Sequence, residues 1–235
     1  MAKVNLKETP ESPIVIEGFP GFGMIGTIAA EFLIENCDCE KIGSYYFEDM
    51  PATMAIHKNR IIEPVEIHYD KENNIVIIHS TAAASGNEWE AAEMILDVCK
   101  QVNAKELISL EGVGTAKSKD DDDKETKIYF KTTNDDAEGK LGDQLESLSE
   151  GIIMGVTAAL FLKSKVPTTC FFAETHTKLP DSKAAAKELE QIDKYLGLDI
   201  DYEPLQKKAE EFEKKLQTLV QQSKQAEQMR DKKKL

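Results

Sequence analysis

Residues 13–36 constrain the fold more than any other stretch of this chain. The apolar run PIVIE (13–17) is bounded by proline and glycine, as a short strand is, and MIGTIAAEFLIEN (24–36) carries its apolar residues at helical spacing. The glycine-dense segment EGFPGFGMIG (17–26) joins them. A strand, a tight turn and a helix in that order open an α/β unit.

The alternation continues along the chain. After Lys41, the segments IGSYYF, MAIH, PVEIHYD and NNIVIIHS are rich in β-branched and aromatic residues and are separated by turn-forming clusters, so they read as strands, some paired as hairpins. From Asn87 to Val102, the residues Trp89, Ala92, Ile95, Leu96 and Cys99 form a helical stripe, followed by the strand ELISLEG and a second glycine turn, GVGT. Residues 115–150 read as a long, mobile polar excursion carrying one strand around IYF (128–130). Within it, KDDDDK (119–124) has the form of an engineered cleavage tag and, flanked by ordinary chain, reads as a solvated acidic loop. Next come a helix over EGIIMGVTAALFLKSK, a strand TTCFFAE, and a helix started by Pro180–Asp181. The pattern predicts an α/β three-layer sandwich as the core domain, residues 1–200, with 201–235 as a C-terminal amphipathic helix and basic tail. In that last helix Leu205, Ala209, Phe212, Leu216, Leu219, Ser223 and Ala226 alternate spacings of four and three, a seam suited to meeting another helix.

Composition narrows the partners. Forty-three acidic against 29 basic residues give a formal net charge of −14, which repels nucleic-acid backbones and anionic lipid. No apolar run approaches the roughly 20 residues that span a bilayer, and the first residues lack a secretory pattern, so a cytoplasmic protein is expected. Cys37 and Cys39 are too close for an easy bridge, Cys99 and Cys170 lie in apolar segments, and no second Cys/His pair stands at zinc-ligand spacing. Neither a metal nor a cofactor is expected.

Two groups of residues could carry chemistry. Gly21, Gly23 and Gly26 satisfy G-x-G-x-x-G after a strand and before a helix, with Glu48 or Asp49 about 22 residues beyond, as in a dinucleotide-binding loop. Against that, Gly18–Phe19–Pro20 intervene after the strand and Phe22 stands where a pyrophosphate would approach; the loop Gly18, Gly21, Gly23, Gly26 then serves tight strand–helix packing. The second group follows strand ends: Glu17, Ser80, Thr81, Glu111, Glu174, Thr175 and His176. If those strands are parallel, their carboxyl ends converge where α/β proteins place ligand crevices. Glu17, Glu111, Glu174 and His176 could then work as acid/base pairs or metal ligands, or could cap loops and helix starts. His57, His68 and His79 each lie within or at the end of a strand and read as structural. Ser85–Gly86 lacks the rest of a nucleophile elbow, and no Walker lysine follows the glycine loops.

Taken together, EGFPGFGMIG, IIHSTAAAS, LEGVGT and FFAETHTKLPDSKAAAKELEQIDKYLGLDID resemble the archaeal branch of the proteasome assembly chaperone family, from about Pro13 to Leu219. The specific parts are Glu17, Gly18, Pro20, Gly21, Gly23 and Gly26 of the first loop, and Ala173–His176 followed by Pro180 and Asp181. The resemblance implies a sandwich similar to purine nucleoside phosphorylases, homo-oligomers, and help in assembling or docking onto 20S proteasome subunits. Relatives that dock by their C-termini end in hydrophobic–Tyr–any residue, whereas this chain ends Lys233–Lys234–Leu235. The leading expectation is a non-enzymatic, chaperone-like oligomeric scaffold. Phe212, Leu216, Leu219 and Val220 of its last helix, with Lys233, Lys234 and Leu235 of its tail, would meet a partner. The rival is a nucleoside- or nucleotide-binding protein, or a hydrolase or phosphorylase-like enzyme, using Glu17, Glu111, Glu174 and His176. A nicotinamide enzyme built on the glycine loop is the third reading.

Overall fold

The computed structural model describes residues 4–48, 54–57, 59–82, 84–114, 126–175, 179–201, 204, 205 and 207. Ten strands and five helices follow in the order β1 (Ile14–Gly18), α1 (Ile25–Asn36), β2 (Cys39–Tyr45), β3 (Ala55–His57), β4 (Arg60–Ile62), β5 (Val65–Asp70), β6 (Ile75–Ser80), α2 (Glu88–Gln101), β7 (Glu106–Gly114), β8 (Ile128–Thr132), α3 (Asp135–Gly142), β9 (Glu146–Ser147), α4 (Val156–Lys163), β10 (Thr168–Thr175) and α5 (Ser182–Leu196). A 3-10 turn, Phe22–Met24, links the first strand to α1.

Eight strands form one sheet in the order β2-β5-β6-β1-β7-β10-β8-β9, and β3 pairs with β4 in a separate hairpin. The central four strands run parallel: β1 pairs with β6 and β7, and β7 with β10. All six residues of β6 and the first five of β7 are buried, as expected of parallel strands covered on both faces. Helices α1, α3 and α5 cover one face through Ile16, Ile77, Ile108, Leu110, Phe130 and Phe171. On the other, α2 and α4 lie against Val15, Val76, Ile78 and Leu107. This is the three-layer α/β sandwich that the alternation predicts. From β1 the chain turns through α1 to β2 at one edge, while β7 leads toward β8 and β10 at the other. The connections therefore diverge between β1 and β7, and a crevice opens at their carboxyl ends.

The glycine loop is shaped by backbone contact. At Gly26 a Cβ would collide with the Leu110 carbonyl oxygen of β7 and sit 3.2 Å from the Phe19 carbonyl oxygen, so α1 packs on the sheet only where no side chain intervenes. Gly23 adopts φ +68° in the 3-10 turn, a conformation that other residues reach only with strain.

Three local expectations are corrected. Residues 126–150 are not a bare excursion with one strand: β8 and β9 flank α3, which the Asn134 side chain caps by accepting from the Asp136 N–H at 3.1 Å, with Asp135, Asp136 and Glu138 in its first turn. The expected mobile stretch 115–125, with KDDDDK, lies outside the described residues. The helix read over 150–165 begins only at Val156, because Gly155 takes φ +87° and ends the extended segment before it. Ile152 and Met154 are thereby left 90% and 78% exposed. Of the stripe read for α2, Ala92, Ile95 and Cys99 are buried, together with Ala91, Met94 and Val98, whereas Leu96 is partly buried and Trp89 is 53% exposed, its ring under the Lys163 ammonium, 5.1 Å from the centroid. Leu205 is buried against the α1–α5 core, but Phe212, Leu216, Leu219, Val220, Lys233, Lys234 and Leu235 lie outside the described residues.

Candidate functional site

The crevice at the carboxyl ends of β1 and β7 is a cavity of about 720 Å³, within the range of small-molecule sites. Glu17 of β1 and Glu111 of β7 line it, together with Glu174 of β10, the glycine loop and the segment preceding α4. The parallel register explains the convergence: Glu17 stands beside Ser109, Ser109 beside Cys170, and Glu111 beside Phe172, two residues before Glu174. Strand alternation then puts all of these on the face covered by α2 and α4.

The carboxyls are joined by hydroxyls. Ser109 donates to Glu17 Oε1, Ser109 Oγ lies 2.9 Å from Thr157 Oγ1 of α4, and Thr157 donates to Glu111 Oε2 at 3.2 Å. Backbone amides close the network: Phe19 N–H donates to Glu17 Oε2 at 3.1 Å, while Phe22 and Gly112 N–H donate to Glu111 Oε1 at 3.3 and 3.0 Å. Both glutamates therefore also hold the glycine loop in place, as the capping alternative had it.

Burial dominates their proton affinity. It pushes Glu17 up to about 8, against the pull of the Ser109 hydroxyl and with a smaller push from the Glu111 charge. It pushes Glu111 up to about 7, with the Gly112 amide, Thr157 and the Phe22 amide pulling back. Near neutral pH the pair retains protons that ordinary carboxylates have lost. At pH 7 the network can donate a proton from Glu17 and accept one at Glu111. Cys170, directly beneath, is no nucleophile: burial raises its thiol well above the usual range.

A third buried acid lies across the sheet, on the face that α1, α3 and α5 cover. Glu188 of α5 is fully buried, and burial first, then the Glu111 and Glu17 charges, push it well above the carboxylate range against the pull of the Glu111 backbone amide. The sequence carried a signal for it, since 185, 188, 189 and 192 mark the buried stripe of α5 and Glu188 occupies one of those positions.

The remaining sequence candidates divide. Glu174 lines the cavity and accepts from the Tyr129 hydroxyl at 3.1 Å. Thr175 instead donates to Asp181 Oδ2 at 2.6 Å, fixing the residue that caps α5. Ser80 serves its turn, bonding the Pro64 and Ala82 carbonyls at 3.0 and 2.8 Å. His176 lies outside the described residues. Among the described lining residues, five are glutamates (Glu17, Glu88, Glu111, Glu150 and Glu174) and none is lysine, arginine or histidine, so the cavity attracts cations and repels phosphates. Gly21 presses on the Glu111 carboxyl, which puts an acid where a dinucleotide would need donors.

The glycine loop and the strand–helix block around Thr175 touch directly, because Asp181 N–H donates to the Gly23 carbonyl at 2.9 Å. Comparisons with known proteins agree with this joint architecture. PbaA of Pyrococcus furiosus, described as an archaeal homolog of proteasome-assembly chaperone, superimposes with a TM-score of 0.81 at 29% identity, covering 99% of this chain and 98% of its own. PbaB of the same organism, described as an archaeal proteasome activator, gives 0.77 at 25% identity over 93% and 98% of the two chains. A Methanocaldococcus jannaschii protein is 28% identical over 216 residues, 90% of this chain and 87% of its own. The sequence model of the PAC2 family matches residues 15–220, and the chain belongs to that family.

Proposed function

We propose that this protein is a non-catalytic, homo-oligomeric scaffold of the proteasome-assembly-chaperone type, working in the cytoplasm on 20S proteasome subunits or a related chaperone. The observation that carries this reading is the apolar surface between residues 148 and 162, where Ile152, Met154 and Leu162 are 90%, 78% and 76% exposed. Three large apolar side chains held in water within so short a stretch support a reading in which another protein covers them. The relatives PbaA and PbaB, by their descriptions, support the proteasome connection. Residues 201–235 are the second contact in this scheme, with Phe212, Leu216 and Leu219 on the seam that their spacing predicts, Val220 next to it, and Lys233, Lys234 and Leu235 beyond it. Light scattering after size exclusion is expected to give an oligomer at micromolar concentration, and the double change Ile152→Asp with Met154→Asp is expected to shift it to monomer while the circular dichroism of the native fold is retained. A wild-type monomer would sink the proposal.

One observation favours a second reading, a small-molecule site. Glu17, Ser109, Thr157 and Glu111 stand in one row of polar contacts at a cavity large enough for a nucleoside. The acidic lining supports uncharged or cationic ligands over nucleotides. A ligand at 100 times its dissociation constant would stabilise the fold by about 2.7 kcal/mol, so a thermal-shift screen of nucleosides, nucleotides and amines separates the two readings. A flat screen removes this one.

A further inference from the structure

Across the sheet from the acid network, on the face that α1 covers, two buried imidazoles on the β5–β6 ladder each leave one ring nitrogen without a partner. Glu66 and His68 share a face of β5, and His79 stands directly opposite Glu66 in the antiparallel register, hence diagonal to His68. His68 Nε2 is 3.1 Å from Glu66 Oε2, and Glu66 also accepts from the Lys41 ammonium at 2.6 Å, which keeps it ionised. The proton of His68 therefore sits on Nε2, and Nδ1 presents a lone pair. His68 Nδ1 and His79 Nε2 are both buried without any hydrogen-bond partner. Both residues are 4% exposed, and both line one cavity of about 300 Å³ that α1 and the β3–β4 hairpin also border.

A buried ring nitrogen left unsatisfied is costly, so two such residues lining one cavity call for a shared occupant. A histidine whose far nitrogen is fixed by a carboxylate is the arrangement that orients imidazole toward a metal ion. We propose that this cavity binds a divalent first-row transition-metal ion such as Zn²⁺, with His68 Nδ1 and His79 Nε2 as its protein ligands and Glu66 as the orienting carboxylate. Among the described residues no three His, Cys, Asp or Glu side chains stand close enough to enclose an ion by themselves, so water completes the coordination. Glu31 and Glu35 of α1, with Glu66, outnumber Arg60 in the cavity wall and offset the ion's charge. Sequence spacing hides this pair, because the hairpin between β5 and β6, and not a helix face, brings it together.

The test is calorimetric titration of the chelator-stripped full chain with Zn²⁺ at pH 7.5. The expected result is one ion per chain, with binding at least tenfold weaker in His68→Gln and in His79→Gln. Glu66→Gln, which keeps both nitrogen donors, should weaken binding by about 10–100-fold. Imidazole ¹⁵N spectra of the unmodified protein give a readout that does not depend on any variant folding: His68 Nδ1 and His79 Nε2 should shift on adding Zn²⁺. Absence of binding at about 1 mM Zn²⁺, equal binding in a chain carrying both His68→Gln and His79→Gln, or shifts confined to the other two of the four histidines would each overturn the proposal and leave an ordered water as the occupant.

Discussion

Replacing Gly26 with valine is expected to remove about 3 kcal/mol or more of stability, a large fraction of what a domain of this size possesses. The clash is with backbone on both sides, the Leu110 carbonyl of β7 and the Phe19 carbonyl of the loop, so no flexible side chain can swing away. β7 cannot retreat either, since it is hydrogen-bonded to β1 and β10. The control is Gly139→Ala, inside α3 with open space around the new Cβ, which should raise stability by about 0.5–1 kcal/mol by helix propensity. Urea unfolding followed by circular dichroism measures both. Equal midpoints for wild type and the valine variant would mean that α1 does not sit on β7 as described.

The same contact shows why the architecture was legible and parts of the site were not. Strand and helix alternation needs only local periodicity, and the α/β sandwich follows from it, while the parallel centre entered only as a condition on the strand ends and the packing role of the glycine loop came from Phe22 and the residues before Gly21. Glu17 and Glu111 were legible because any polar residue at the carboxyl end of a buried parallel strand is a candidate. Ser109 and Thr157 were not, since a serine and a threonine in apolar runs look like core until the register sets them between two acids. Glu188 could have been found by taking the helical stripe of α5 literally. Residues 150–154 misled for a different reason: their apolar composition fits a helix, but Gly155 in a positive-φ conformation breaks the backbone and turns those side chains outward. Composition alone could not distinguish a core helix from an exposed apolar loop.

That distinction matters for how the two halves of the crevice can cooperate. Its floor is an acid network with raised proton affinity, and its rim includes the exposed apolar segment. A partner that inserts a lysine or arginine beside apolar contacts would satisfy both at once, neutralising Glu111 or Glu17 as carboxylates while covering Ile152 and Met154. Such docking would release protons, because a cation favours the ionised form of both acids.

The second large effect is the pH dependence of stability, and its sign follows from the buried acids. An unfolded glutamate loses its proton near 4.5, whereas Glu17 and Glu111 keep theirs to about 8 and about 7. Between those limits the folded chain binds more protons than the unfolded one, so stability falls as pH rises, by up to about 1.4 kcal/mol per unit for each proton retained. Their contribution is fully present below pH 4.5 and is lost progressively through pH 7 and 8, with Glu188 adding in the same direction. Glu17→Gln keeps an acceptor for the Phe19 amide and lets Ser109 turn its hydroxyl, but removes the charge that burial penalises. It should leave stability nearly unchanged at pH 4 and raise it by about 2 kcal/mol at pH 9, once solvation of the cavity mouth is allowed for. Urea midpoints measured from pH 4 to 9 check this. Parallel curves for wild type and variant would show that Glu17 titrates as an ordinary carboxylate, and that the floor of the crevice is wetter than the network of Ser109 and Thr157 implies.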